Sequence, residues 1–398
     1  MRIFIAGVDG YLGWPLAQHL ASRGHEVGGA DAFFRRAWVQ EMGSWSATPI
    51  GTMTERLQAF RSRFGRELKF WQSDLREYSV VESIFRDFQP DAIMHLGECP
   101  SAPYSMMDVG HSVFVQTNNI VTTFNLLYAM RDIRPNAHLV KLGTMGEYGT
   151  PDLEIPEGFF EVEFRGRRAR LPFPRLASSW YHWSKVHGSN NIMFARKISG
   201  LRATDVMQGV VFGTRIDGME KDHRLLTRVD FDQAFGTAIN RFCCQAVIGH
   251  PLTPFGKGHQ RRGFLPLRDS MQCLTLALEK PAAAGEYRVF NQFTETFSIL
   301  QLAELVVEQA RRLGLSATVR HLENPRVELE DHHYNPAHSK LLELGLTPHF
   351  LCDELLDSMI VTILKHKQRI KQEIILPKVK WNGKEQEVEE LKLMWAGA

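Results

Sequence analysis

Arg2-Ile3-Phe4-Ile5-Ala6, followed without a break by Gly7-Val8-Asp9-Gly10-Tyr11-Leu12-Gly13, is the stretch whose reading decides the fold. A short apolar strand runs into a G-x-x-G-x-x-G turn and then into the helical pattern WPLAQHLASRG. Glycine there permits a tight turn and lets backbone N–H groups approach a pyrophosphate at the helix N-terminus. Glycine spacing alone is a weak signal, but the next strand, HEVGGAD, ends in Asp31, 18 residues beyond Gly13. An acid at that place accepts from adenine-ribose hydroxyls and repels a 2′-phosphate, which points to NAD rather than NADP. Arg35 and Arg36 follow closely enough to soften that preference. The cofactor residues expected from this stretch are Gly7, Asp9, Gly10, Tyr11, Leu12, Gly13, Asp31, Arg35 and Arg36.

Outward from this unit, the strand-like runs ELKFWQSD, DAIMHLG and HLVKLGT alternate with helical patterns such as VVESIFRDFQ. That alternation predicts an α/β fold, a Rossmann-type doubly wound parallel sheet that binds ligands at its strand C-termini. The expected division is residues 1–212 as the NAD-binding domain and 213–398 as a smaller, mainly substrate-binding domain. Some late segments, such as EYRVFNQ, are expected to return to the sheet. Segment 33–65 is long for a connection and is expected to carry its own helices. Segment 151–175, with FFEVEF, Arg165-Gly166-Arg167 and RARLPFP, reads as a hairpin. Asn382-Gly383, flanked by alternating residues, reads as a second, hairpin-like turn in the tail.

A chain of 398 residues exceeds what one core normally supports, about 250–300 residues, in keeping with two lobes. The 47 basic and 45 acidic side chains leave a net charge of only +2, so no strong field points to nucleic acid or a membrane surface. The sixteen histidines include no H-E-x-x-H spacing, and no metal site is expected. Five cysteines, an odd number lying mostly in apolar runs, predict reduced thiols and a cytoplasmic protein. The opening strand leaves no room for a signal peptide, and no apolar run reaches the roughly 18–20 residues that span a bilayer.

Tyr181-His182-Trp183-Ser184-Lys185 places Tyr and Lys at i and i+4, on one helix face. An ammonium beside a phenol stabilises the phenolate, so Tyr181 could take a hydroxyl proton as hydride leaves for nicotinamide. The strand HLVKLGT would deliver a third group, the Thr144 hydroxyl. Each of these residues also has a bland reading, as a helix neighbour or a strand terminator; their order along the chain favours the catalytic one.

With these motifs in place, the chain resembles the UDP-sulfoquinovose synthases, a family of extended short-chain dehydrogenase/reductases. The resemblance is carried by DGYLGWPLAQHL, SAPYSM (101–106), HLVKLGTMGEYGTP (138–151), ASSWYHWSKVHGSNNI (177–192), LRATDVMQGVVFGT (201–214), AFGTAINRF (234–242), GEYRVFNQFTE (285–295) and LPKVKW (376–381). It implies tightly bound NAD, regenerated in each cycle, with UDP-glucose and sulfite as substrates and a homodimeric assembly. The implied product is the sulfonated head-group sugar of sulfolipid. The implied chemistry is C4 oxidation, loss of the C5 proton, elimination of the C6 hydroxyl, sulfite addition at C6 and return of the hydride.

Ordinary 4,6-dehydratases follow the catalytic Thr with Asp and Glu, whereas this chain has Met145, Gly146 and then Glu147. Tyr181, His182 or Glu147 would therefore move the C5 proton. His182 is the attractive shuttle by its ordinary pKa, and equally readable as a packed neighbour. Further cofactor contacts are expected from Asp74, Leu75, Leu96, Gly97, Glu98, Asn119, Gln208 and Val211. Substrate contacts are expected from Ser101, Tyr104 and Ser105 at the hexose, and from Thr237, Asn240 and Gln260 at sugar or phosphate. Arg262 and Arg326 match the family's diphosphate or uridine contacts, where a guanidinium fork donates two parallel hydrogen bonds.

One departure bears on function. Family members carry Gln-Arg before SAPYS, and this chain carries Cys99-Pro100. That removes a cation beside the expected hexose site. Two alternatives therefore stand beside the main reading: a sulfite-independent nucleotide-hexose 5,6-dehydratase or 4-epimerase, and a catalytically silent NAD-binding sensor or scaffold.

Overall fold

The computed structural model describes residues 1–351, 356–377 and 379–381, so the expected turn at Asn382-Gly383 lies outside the described residues. Alternation along the first strand positions the core. In β1 (Arg2–Ala6), Ile3 and Ile5 face one side and Phe4 and Ala6 the other, and all four are wholly buried. A strand covered on both faces belongs at the centre of a parallel sheet.

The elements follow in order: α1 (Gly13–Ser22), β2 (Glu26–Asp31), α2 (Phe34–Glu41), α3 (Met53–Phe64), β3 (Lys69–Gln72), α4 (Tyr78–Phe88) and β4 (Ala92–His95). Then come α5 (Ala102–Ser105), α6 (Val109–Ile133), β5 (His138–Thr144), β6 (Phe159–Phe164), β7 (Arg167–Pro172), α7 (Trp180–Ser199) and β8 (Arg202–Gln208). The later ones used below are β9 (Val210–Phe212), α8 (Ala238–Ile248), β10 (Arg261–Pro266), α9 (Leu267–Glu279), β11 (Tyr287–Gln292), β12 (Glu295–Ser298) and α10 (Ile299–Arg312).

Seven strands form one sheet in the order β11-β8-β5-β4-β1-β2-β3, and every adjacent pair is parallel. This is a Rossmann-type doubly wound sheet. On one face, Ile3 and Ile5 pack with Trp14 and Leu20 of α1, Phe60 of α3, and Leu274 and Leu278 of α9. On the other, Phe4 packs with Phe85 and Phe88 of α4 and with Leu126 and Met130 of α6. Chain order reverses at β1, which lies between β2 and β4, and the crevice above this switch point is where such sheets bind ligands.

A second sheet, β12-β10-β9, is covered by α8 and α10 through Phe242, Cys243, Leu302 and Val306. Segment 33–65 holds α2 and α3, and α3 opens on a capping box between Thr52 and Glu55. β6 and β7 pair antiparallel across Arg165-Gly166, both with positive φ (50° and 73°), as a two-residue hairpin turn requires. Among the described residues no helix is long and apolar enough to cross a membrane. The described cysteines, Cys99, Cys243, Cys244 and Cys273, are buried and unpaired; Cys352 lies outside the described residues.

Candidate active site

The glycine turn after β1 is shaped by close approach. Gly7 has φ 84°, and a Cβ there would lie 2.7 Å from Leu96 O; at Gly13 a Cβ would lie 2.2 Å from Gly7 O. α1 begins at Gly13 with no side-chain cap, and a helix N-terminus is suited to an anion. Asp31, at the end of β2, accepts from the backbone N–H groups of Asp9 (3.0 Å) and Phe33 (2.7 Å). Burial, and then the nearby Asp9 charge, push its carboxyl up to about 6. These features fit the adenosine half and pyrophosphate of a dinucleotide.

A single cavity of about 500 Å³ runs from this turn across the sheet's C-terminal edge to the second sheet. Of the expected cofactor residues, Gly7, Gly10, Tyr11, Leu12, Gly13, Asp31, Arg35, Asp74, Leu75, Leu96, Gly97, Glu98, Gln208 and Val211 line it. Asp9, Arg36 and Asn119 do not. Arg36 grips the Asp9 carboxylate at 2.6 and 2.7 Å, with Arg56 on the same group at 2.5 Å. Arg35 is bound to Asp230 at 2.6 Å. Arg36 is thereby engaged away from the cavity, while Arg35 keeps its Nη1 without a partner among the described residues. Asn119 is buried behind the wall, where it holds Cys99 by both backbone groups and donates to Ser184 at 2.8 Å.

Thr144, Met145, Tyr181, His182 and Lys185 come together on the cavity wall. Thr144 ends β5, and its Oγ1 accepts from Gly146 N at 3.2 Å, which leaves its own proton to donate. Tyr181 lies in the first turn of α7, capped by Ser179; its backbone N–H donates to Ser105 Oγ at 3.0 Å. Lys185 Nζ donates to Leu142 O at 2.7 Å and to Glu98 Oε2 at 2.5 Å. His182 shares a 2.9 Å hydrogen bond with Ser179 through Nδ1 and packs its Nε2 against Gly146, where a Cβ would lie 2.4 Å away. Burial, then the charges of Arg326 and Arg262, push its imidazole down to about 3. The ordinary pKa that recommended His182 is therefore not the one it has: it is neutral at neutral pH.

Glu147 is brought near but faces away from the cavity. It is fully buried, bound by Lys141 at 3.3 Å, Arg175 at 2.9 Å and Ser189 at 3.0 Å. It supports the turn behind Thr144 and cannot reach a sugar.

Ser101, Thr237, Gln260, Arg262 and Arg326 line the far end of the cavity, while Tyr104, Ser105 and Asn240 do not. Tyr104 donates to Glu41 at 2.7 Å, Ser105 to Ala102 O at 2.7 Å, and Asn240 to Asp230 O at 3.3 Å. One residue that sequence reasoning passed over belongs here. Arg241 lines the cavity from α8, stacked 4.4 Å over the Phe255 ring, and its Nε and Nη1 have no partner among the described residues. Burial, then the charge of Arg326, push it down to about 9, so it stays cationic at neutral pH. Arg326 likewise has an unpartnered buried Nε. Two guanidiniums, one buried and one half-buried, with donors unfilled are suited to a diphosphate. The available signal was the AFGTAINRF stretch, in which Arg241 follows Asn240.

Cys99 is wholly buried and off the wall, and burial pushes its thiol up to about 12, so it is a packed residue and not a nucleophile. Pro100 does line the cavity and brings no charge to it. Among the described residues no group of three His, Cys, Asp or Glu side chains is placed to hold a metal ion.

Residues 3–291 match the family model described as NAD dependent epimerase/dehydratase. The chain is 46% identical over 380 residues to the chloroplastic UDP-sulfoquinovose synthase of Spinacia oleracea, covering 96% of this chain and 79% of that one. It is 44% identical over 384 residues to the UDP-sulfoquinovose synthase of Sulfolobus acidocaldarius, covering 96% and 98%. Among solved structures, the fold is similar to a UDP-glucose 4-epimerase of Thermotoga maritima with UDP-glucose (TM-score 0.68, 18% identity, 92% of this chain and 99% of that one). It is equally similar to a UDP-glucuronic acid 4-epimerase of Bacillus cereus with UDP-glucuronic acid and NAD (TM-score 0.68, 22% identity, 92% and 99%).

Proposed function

Because the chain belongs to the NAD-dependent epimerase/dehydratase family and, within it, to the UDP-sulfoquinovose synthases, we propose that it converts UDP-glucose and sulfite to UDP-sulfoquinovose. The observation that carries this reading is one cavity that joins a dinucleotide turn, the Thr144-Tyr181-Lys185 set and two arginines with unfilled donors. Held at the glycine turn, NAD would supply the acceptor for the C4 hydride and its later return. A C4 ketone acidifies the neighbouring C5–H and, once the C6 hydroxyl has left, conjugation makes C6 electrophilic. Sulfite, arriving as bisulfite, then adds at C6 while its proton goes to C5, and as the C4 ketone is reduced the Tyr181 proton returns to the C4 oxygen.

In this reading Thr144 donates to the C4 oxygen while Tyr181 accepts its proton. Tyr181 is then loaded, so His182, its neighbour on the cavity wall, takes the C5 proton. The Arg326 and Arg262 charges that depress its pKa are offset once a diphosphate binds them, and the imidazolium then gives its proton to the departing C6 hydroxyl, which leaves as water. Arg241, Arg262 and Arg326 hold the UDP diphosphate. We take residues 1–212 as the cofactor lobe and 213–398 as mainly the substrate lobe, in a cytoplasmic enzyme. A homodimer is part of the proposal: Val113, Phe124 and Tyr128 on α6, and Trp180, Phe194 and Ile198 on α7, leave an apolar surface exposed on two adjacent helices.

A second reading, a 5,6-dehydratase or 4-epimerase that does without sulfite, is favoured by Pro100, which leaves the cavity without the arginine found there in the family. The redox half common to both is tested by adding UDP-glucose to the NAD-loaded protein and following the absorbance of reduced nicotinamide. Reduction that Tyr181→Phe slows by about 10²–10⁴-fold, with NAD still bound, supports it. No reduction in the wild type counts against it.

A further inference from the structure

Residues 379–381 form a strap at the cavity that the chemistry above leaves without a part. The strap is pinned at both ends. Val379 accepts from Gln233 Nε2 at 2.8 Å and donates its N–H to Gln233 Oε1 at 2.8 Å. Two residues on, Trp381 N donates to Pro325 O at 3.1 Å, next to Arg326. Gln233, from the turn before α8, and Arg326 both line the cavity, so the strap joins two parts of its wall. Trp381, which also lines the cavity, is only 8% exposed.

Two sets of neighbours place its indole. The Arg326 guanidinium lies 5.4 Å from the ring centroid, and the ring belongs to the packed cluster that also holds Tyr181, Ala234 and Phe235. A UDP-hexose carries its diphosphate on C1 and its reacting hydroxyl on C4. With the diphosphate at Arg326 and the C4 hydroxyl at Tyr181, the sugar ring lies between them, where Trp381 packs with both groups. The indole Nε1 is buried with no partner among the described residues. An indole N–H only donates, and a buried one normally has an acceptor. A hexose oxygen would fill that place.

We propose that Trp381 is a substrate-binding residue: it covers the hexose of the sugar nucleotide and donates its indole N–H to an oxygen of that sugar. The proposal rests on the reading that places a UDP-hexose in this cavity. It gives the strap a part in the site and the unfilled indole donor its acceptor.

The test follows the indole N–H directly, by NMR of NAD-loaded protein labelled with 15N-tryptophan and titrated with UDP or with UDP-glucose. The Trp381 signal is identified by its absence from Trp381→Phe and from Trp381→Leu. UDP-glucose should move it downfield, as an N–H that gains an acceptor moves, while UDP should leave it near its starting position. Calorimetry supplies the second arm. Trp381→Phe keeps a ring and loses the donor, so it should bind UDP-glucose about 2–10-fold more weakly and bind UDP as the wild type does. A wild-type signal that UDP-glucose leaves in place, or that UDP moves equally, overturns the proposal even if a variant folds poorly. So does a Trp381→Phe protein that binds UDP-glucose as well as the wild type, or that loses affinity equally for both ligands. Those results leave the proposed function standing, whereas a wild type that binds neither ligand contradicts that function and the proposal with it.

Discussion

Glu147 accepts the backbone N–H of Thr144 on Oε1 at 3.4 Å, while its Oε2 holds Arg175 at 2.9 Å on the side away from the cavity. One carboxylate thus ties the end of β5 to the segment that leads into α7, and these two elements carry Thr144 and Tyr181. The residue that stands nearest in sequence to a dehydratase acid supports the site from behind it.

Replacing Glu147 with Gln should therefore act on stability. Lys141 and Arg175 would lose a shared, fully buried partner, a loss worth about 3–5 kcal/mol. Chemical denaturation should show that loss, and the activity remaining in folded protein should keep the wild-type pH profile. Unchanged stability with an altered pH profile would instead make Glu147 a proton carrier.

Arg241 should matter for binding more than for turnover. A charge-assisted hydrogen bond contributes about 1.5–3 kcal/mol, so Arg241→Ala should raise KM for the sugar nucleotide about 10–150-fold. Arg241→Lys should recover little, because a point charge cannot reproduce the fork or its stacking on Phe255. Steady-state kinetics decide the matter: a fall in kcat at unchanged KM would place Arg241 away from the diphosphate.

NAD affinity should depend on pH through Asp31. Its carboxyl is pushed up to about 6, so it is mostly ionised at neutral pH and becomes protonated as pH falls through that value. Protonation removes acceptor capacity needed by the ribose hydroxyls. Titration of dinucleotide-free protein should show NAD affinity steady above about pH 7 and falling below about pH 6. In Asp31→Asn, binding should be weaker and lose that slope.

What could be read along the chain was whatever local spacing determines. The glycine turn, Asp31 at the end of β2, Thr144 at the end of β5 and the Tyr181–Lys185 helix step depend on neighbours a few residues away, and each stands on the wall of one cavity. Partners distant in sequence were out of reach. Arg35 meets Asp230 across 195 positions and Lys185 meets Glu98 across 87, and spacing could predict neither pair. Direction within a contiguous stretch was also hidden. In Ser101–Ser105 the first residue faces the cavity while Tyr104 and Ser105 turn inward, and in α8 Arg241 faces it while Asn240 does not. His182 shows a third limit: its basicity depends on burial and on Arg326 and Arg262, both far along the chain.

The most direct measurement is mass spectrometry of the sugar nucleotides formed by the purified, NAD-loaded protein from UDP-glucose, with and without sulfite. A sulfonated UDP-hexose is expected only where sulfite is present. A dehydrated or epimerised UDP-hexose formed equally in both samples would contradict that expectation, and would mean that the uncharged wall at Pro100 belongs to a different product.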